Sequence, residues 1–316
     1  FDEVALMPES FVNQATGRCS VQGSKYWFNC NPDGPYHWFK INWINKSTGY
    51  LGKEKTAKVR AEAAAKGLEA GLKNILYVHF TMDDNLSLSE EIKARYRSMY
   101  TGVFFKRYIL GLWAMAEGII YDMFDADKHV QKITDFFRCL KDGGRYVSCD
   151  YGTQNATVFL LWNKGNNGKW YCVREYYYSG RAKGKQKTDG EYADDFEKWL
   201  DGVPIRAVIV DPAAASFIAE LRKRGYRVLK ADNDVEDGIR EVASMLNMGL
   251  LVFCDTCINT IMEFGSYIWD EKAAQQGEDR PVKENDHAMD AVRYFVYTIL
   301  SKRTGRVKNK AKYGFD

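Results

Sequence analysis

Asn285, Asp286, His287 and Asp290 open a segment near the C-terminal end, while Asp150 and Asp211 each close a strand-like apolar run far upstream. On a helix, Asp286 and Asp290 stand four apart, and His287 and Asp290 three apart, so all three share one face. The apolar set Ala288, Ala291, Val292, Phe295 and Ile299 then faces the core. Hard oxygen ligands gathered from separated segments suit Mg²⁺ or Mn²⁺, and a pair of such ions can clamp a phosphodiester for in-line attack by water. These residue types and spacings therefore point to a metal-dependent DNA nuclease.

Each residue also has a blander role. Asp150 and Asp211 suit strand-end turns, and Asp286 is placed as a helix N-cap, which we read as its larger role. Asp290 is harder to explain away, because a mid-helix carboxylate beside an apolar stripe needs a cation, and Arg293 and nearby lysines offer one as a salt bridge. His287 is a ligand or a proton carrier, or else a satisfied structural imidazole.

The elements that must position this set are legible from Arg145 onward. Tyr146 to Cys149, Thr157 to Trp162 and Trp170 to Tyr177 read as an antiparallel meander. A helix (Tyr192 to Leu200), a buried strand (Ile205 to Val210), a helix (Ala213 to Lys223), a short strand (Val228 to Lys230), a helix through Ile239, Val242, Ala243 and Leu246, and a strand (Leu250 to Phe253) follow. This order predicts a mixed α/β sheet covered by helices, with Asp150 and Asp211 at strand carboxyl ends, where open sheets place ligands. Between strand and helix, the loop with Arg181, Lys183, Lys185 and Lys187 is a candidate DNA-phosphate contact. Tyr176, Tyr177 and Tyr178 are candidates for stacking on bases, although strand alternation makes at least one of them core.

Upstream, Phe1-Asp2-Glu3 reads as the tail of a strand, and an apolar strand ending in Asp-Glu is what a Walker B segment supplies for nucleotide-bound Mg²⁺. No GxxxxGK[ST] loop occurs, so we expect an incomplete nucleotide site at Asp2 and Glu3 and no ATPase activity from this chain alone. Lys25 to Asn29 reads as a strand, Pro32 to Pro35 as a turn, and Glu54 to Leu72 as a helical spacer. Ser87 with Glu90 forms a capping box ahead of a helix bearing Ile92, Tyr96 and Met99. Phe104 to Tyr121 reads as an aromatic-rich amphipathic stretch packed in the core.

Composition sets the bounds. A chain of 316 residues, 46% hydrophobic, can bury a core in two domains or one large one. Its net charge of +3 makes any DNA affinity a matter of local clusters. Seven cysteines, an odd number, and no basic-then-apolar leader suggest a reducing, cytoplasmic setting. The lone CxxC, Cys254 to Cys257, lacks the four ligands of structural zinc. No apolar stretch reaches the roughly twenty residues of a membrane span.

Taken together, the motifs resemble the large terminase subunit of tailed bacteriophages and prophages. The resemblance covers most of the chain and rests on Phe1-Asp2-Glu3, Phe28 to Trp38, His79 to Asn85, Tyr108 to Trp113, Glu117 to Tyr121, Asp150-Tyr151-Gly152, Val210-Asp211-Pro212, Asp237-Gly238-Ile239 and Glu284 to Tyr294. It implies an RNase H-like nuclease domain over 145–302, preceded by the remainder of a P-loop-type ATPase domain over 1–120 and a linker over 121–144, and followed by a basic tail over 303–316. It also implies that Asp150, Asp211 and Asp290 are the metal-binding aspartates, with His287 beside them. Double-stranded DNA, a small terminase subunit and the portal protein are the implied partners, the cytoplasm of the infected bacterial host the setting, and ATP a cofactor only of the intact motor. The rival readings are a non-catalytic fragment that binds DNA or the portal, and another RNase H-like nuclease such as a resolvase.

Overall fold

The computed structural model describes residues 1–50, 61, 73–152 and 155–301. The expected spacer over Glu54 to Leu72 lies almost wholly outside these residues, and the basic tail lies entirely outside them.

The described residues form two compact units, one within Phe1–Gly118 together with Trp269–Pro281, the other within Ile119–Ile268 together with those that follow from Val282 to Ser301. In the first, α1 (Glu9–Gly17) lies over a small core of Val4, Val12, Phe39, Trp43 and Ile44. Phe28 meets the Phe39 and Trp43 rings at 5.4 and 4.9 Å. Strands β1 (Ser47–Tyr50) and β2 (Lys73–Tyr77) pair in parallel. Lys25 to Asn29 is not a strand, although the Asn29 backbone bonds to Phe1 and Val4.

Two local expectations fail in this unit. Helix α2 (Glu90–Met99) is capped by the Ser89 hydroxyl, which accepts from the Ile92 amide, and the capping box is Thr81 with Asp84. Its only fully buried residue is Lys93, paired with Glu90 at 3.0 Å; Ile92, Tyr96 and Met99 do not form a buried face. The stretch from Phe104 is helical only through a short turn and a π-helical turn, Phe105–Ile109. What holds it is Arg107, which is buried, paired with Asp33 at 3.0 Å and with Asp279, and bonded to the Ala114 carbonyl. A buried guanidinium is tolerable only when its donors are matched in this way.

The second unit is a seven-stranded mixed sheet. In chain order its elements are β3 (Val130–Gln131), β4 (Tyr146–Asp150), β5 (Ala156–Lys164), β6 (Trp170–Ser179), α3 (Asp189–Leu200), β7 (Ala207–Val210), α4 (Ala215–Lys223), β8 (Val228–Lys230), α5 (Val235–Asn247), β9 (Leu251–Cys254), α6 (Ile258–Ser266) and α7 (His287–Phe295). The strand order is β3-β9-β6-β5-β4-β7-β8, with β4, β5 and β6 antiparallel and the other neighbours parallel.

Alternation along β4 sorts its side chains between two faces. Val147 and Cys149 join Phe159, Tyr192, Phe196, Phe217 and Leu221 under α3 and α4. Ser148 takes the other face, where its hydroxyl accepts from the Trp162 indole at 2.9 Å and Trp162 stacks on Phe295 of α7 at 4.4 Å. Asp150, two residues on, shares that second face.

The expected linker over 121–144 is not one. Within it, Phe124 stacks on Phe264 of α6 at 4.0 Å, buried His129 bonds to the Leu246 carbonyl at 2.9 Å, and β3 adds a strand beside β9. The unit boundary falls at Gly118, and Trp269–Pro281 returns to the first unit.

Candidate active site

Cys149 of β4 pairs with Val210 of β7 in a parallel register, so Asp150, the last residue of β4, and Asp211, the first after β7, stand side by side at the carboxyl edge. Helix α7 packs across that edge and brings His287, Asp290 and Tyr294. Asp211 accepts from the Ala213 amide at 2.7 Å and from the Tyr294 hydroxyl at 2.6 Å. Burial first, then the charges of Asp290 and Asp150 and the bond to Asp211, push the Tyr294 phenol far upward. Of the three aspartates, Asp211 is the one that bonds the Tyr294 phenol directly.

Asp150 Oδ2 lies 2.9 Å from His287 Nδ1. Burial raises the Asp150 carboxyl, and the charges of Asp290 and Asp286 add to that against the lowering effect of His287. Burial disfavours the charged form of His287, but the bond to Asp150, with Asp286 and Glu263 nearby, leaves its value raised. The bond and the shared burial tie the two groups to one another.

Asp290 is addressed by two protein cations. Arg293 Nη2 donates to Oδ1 at 2.8 Å, and Lys283 Nζ lies 3.6 Å from Oδ2 and 3.3 Å from Asp286 Oδ2. Burial works against the Lys283 ammonium, yet Asp290 and Asp286 raise its pKa. Arg293 is itself fixed by the carbonyls of Asn233 and Asp234, at 2.9 and 3.1 Å. Gly238 makes room for it, since a Cβ there would stand 2.5 Å from Arg293 Cγ.

Among the described residues, no three His, Cys, Asp or Glu side chains close around one point as a preformed metal cage. The donor set nevertheless fits a hard divalent cation in kind. Its carboxylates gather at one sheet edge beside the cations Lys283 and Arg293, and clustered carboxylate oxygens are the donors such a cation prefers.

A family model described as the terminase RNaseH-like domain matches residues 149–298. The large terminase of a thermophilic bacteriophage superposes with a TM-score of 0.80 at 54% identity, covering 95% of this chain and 69% of that one. The chain belongs to the large terminase family. The same thermophilic phage protein in complex with ADP matches with a TM-score of 0.80 as well, at 54% identity over 95% of this chain and 68% of that one. The large terminase subunit of Escherichia phage T5 is 26% identical over 314 residues, 95% of this chain, which spans 64% of that relative's length. The sheet flanked by helices is the RNase H-like fold expected of such nuclease domains.

In this large-terminase chain the N-terminus of α7 is not capped as the sequence suggests. The Asp286 side chain makes no capping bond; it is buried and turned to Lys283. Glu263 of α6 performs the capping, accepting from the amides of Ala288 and Met289 at 2.7 and 3.2 Å and from the Tyr177 hydroxyl at 2.9 Å. Burial outweighs these bonds and pushes the Glu263 carboxyl up to about 7. Glu175 of β6 caps α6 in the same way, through Asn259 and Thr260. Sequence reasoning missed both glutamates; the one signal for Glu263 is an acid set between Met262 and Phe264.

The basic loop is only partly available to a ligand. Lys187 is ion-paired with Asp195 and sits 4.0 Å over the Tyr178 ring, which withdraws it from the DNA-binding set. Lys185 pairs with Glu191 at 3.4 Å, while Arg181 and Lys183 are exposed on the turn Gly180–Lys183. The tyrosines alternate as a strand requires: Tyr176 bonds to Asp195 and Tyr178 to the Lys185 carbonyl, whereas Tyr177 reaches Glu263. In the first unit, Asp2 accepts from the Asn29 side chain at 2.8 Å and Glu3 from that of Asn31 at 3.4 Å. Among the described residues no helix is long and apolar enough to cross a membrane.

Proposed function

We propose that this chain carries the endonuclease of a phage DNA-packaging terminase, a hydrolase that cuts concatemeric viral DNA with two Mg²⁺ or Mn²⁺ ions. The observation that carries the reading is that Asp150 and Asp211 stand at adjacent strand ends and are both bonded by the helix that bears Asp290, through His287 and Tyr294. Asp150, Asp211 and Asp290, with Asp286 beside them, would hold the ions. When bound, such ions supply an acidified water and neutralise charge on the scissile phosphate and leaving oxygen.

The chain's own groups do the rest. His287 orients Asp150 through its Nδ1 and serves as the proton carrier of the site through its other ring nitrogen. Arg293 fixes one oxygen of Asp290, and Glu263 with Tyr177 fixes the helix start that carries His287. Arg181 and Lys183, assisted by Lys185, contact phosphates without reading bases, so cutting position is set by partners. We assign the first unit to the remainder of the packaging ATPase, with Asp2 and Glu3 as its Walker B-like pair. Double-stranded DNA, a small terminase subunit and the portal are the partners, ATP serves the intact motor, and the host cytoplasm is the setting.

Incubating the full chain with supercoiled plasmid and Mn²⁺, Mg²⁺ or chelator tests this. Nicked and linear products with metal, none with chelator, and none from Asp150→Ala at unchanged melting temperature are expected. Plasmid binding without cutting would favour the non-catalytic fragment, and a strong preference for branched DNA the resolvase.

A further inference from the structure

The two cations on Asp290 differ in kind. Arg293 is 2% exposed, bonded to two backbone carbonyls besides the carboxylate, and wedged against Gly238. It cannot leave without reorganising α5 and α7. Lys283 is the opposite: its side chain is 66% exposed, its ammonium reaches Asp286 and Asp290 at 3.3 and 3.6 Å, and its stem precedes the helix. Arg293 occupies Oδ1 of Asp290 and Lys283 faces Oδ2, so one oxygen is permanently committed and the other only provisionally.

A monovalent ammonium at more than 3 Å from each oxygen binds a carboxylate pair far less strongly than a divalent ion in direct contact. It still offsets their mutual repulsion and the cost of keeping Asp286, 5% exposed, charged. Once displaced, a lysine on a short tether beside the carboxylates is placed for a phosphate oxygen, which it meets as a point charge.

We propose that Lys283 is the displaceable counter-ion of this site, neutralising Asp286 and Asp290 until a divalent cation takes them and then moving its ammonium onto the DNA phosphate. The inference rests on the metal-nuclease reading and adds an exchange of charges to it. A phosphate arriving with the metal gives the ammonium a new partner, so loading and DNA binding favour each other. Metal loading without DNA leaves that charge unpaired.

The test compares wild type with Lys283→Gln, Lys283→Met and Lys283→Arg in the full chain. Mn²⁺ affinity is measured by calorimetry without DNA, and duplex-oligonucleotide affinity by fluorescence anisotropy with Ca²⁺ present. The two neutral variants should bind Mn²⁺ about tenfold more tightly and DNA several-fold more weakly, while Lys283→Arg stays close to wild type. Opposite signs in the two assays are what a merely structural lysine would not produce. Unchanged Mn²⁺ affinity in both neutral variants overturns the counter-ion role, and unchanged DNA affinity overturns the transfer to phosphate. If wild type itself binds no Mn²⁺, the metal reading beneath the proposal is what falls.

Discussion

Replacing Glu263 by Gln isolates the charge on the carboxylate that caps α7. Glu263 is 4% exposed, and its carboxyl is raised from 4.5 to about 7. Because the folded value lies above the unfolded one, its contribution to stability is fully present below pH 4.5 and is lost as pH rises through about 7. A difference of that size corresponds to about 3 kcal/mol between acid and alkaline conditions. Glutamine keeps an acceptor for the Ala288 amide but carries no charge. Its remaining cost is the re-pairing of the Tyr177 hydroxyl, about 1 kcal/mol. Glu263→Gln should therefore be slightly less stable than wild type near pH 4.5 and more stable, by about 2 kcal/mol, at pH 8. Glu263→Ala, which removes the cap itself, should lose about 1–2 kcal/mol relative to Gln at every pH. Urea denaturation of the metal-free chain across this range measures these differences, with hydrogen exchange of peptides from α6 and α7 restricting the reading to the second unit. Parallel stability curves for wild type and Glu263→Gln would refute a buried, titrating cap. Equal stability of the Gln and Ala variants would refute the capping itself.

Gly238→Ala places a methyl 2.5 and 2.7 Å from Arg293 Cγ and Cδ. It should cost about 1–3 kcal/mol by overpacking, and by shifting Arg293 off Asp290 it should also change Mn²⁺ affinity, both readable by melting curves and calorimetry. Since the Asp286 side chain caps nothing, Asp286→Asn and Asp286→Ala should be equally stable; a gap of about 1 kcal/mol in favour of Asn would restore the N-cap role. In DNA-binding titrations against salt, Arg181→Gln and Lys183→Gln should each lower the slope by about one, while Lys187→Gln should leave it unchanged and instead reduce thermal stability.

The sheet was legible in the sequence because its signals are local. Apolar runs such as Ala207–Val210 mark buried strands, the 3.6-residue period through Ile239, Val242, Ala243 and Leu246 marks α5, and their order dictates a mixed sheet with Asp150 and Asp211 at one edge. The requirement that Asp290 meet a cation was legible too, and Arg293 meets it. What only the tertiary structure decided are the partners that sequence distance hides. The cap of α7 comes from a carboxylate 25 residues upstream, and the cap of α6 from one 84 residues upstream, so no local spacing announces them. With Glu263 on the amides, Asp286 is released to Lys283, and a residue suited to capping by position becomes part of the charge cluster. The same logic turns Lys187 onto Asp195 and packs Phe124 and His129, within 121–144, against α6 and α5 of the second unit. Backbone periodicity is written along the chain, whereas the pairing of buried charges depends on which side chains the finished packing brings within reach.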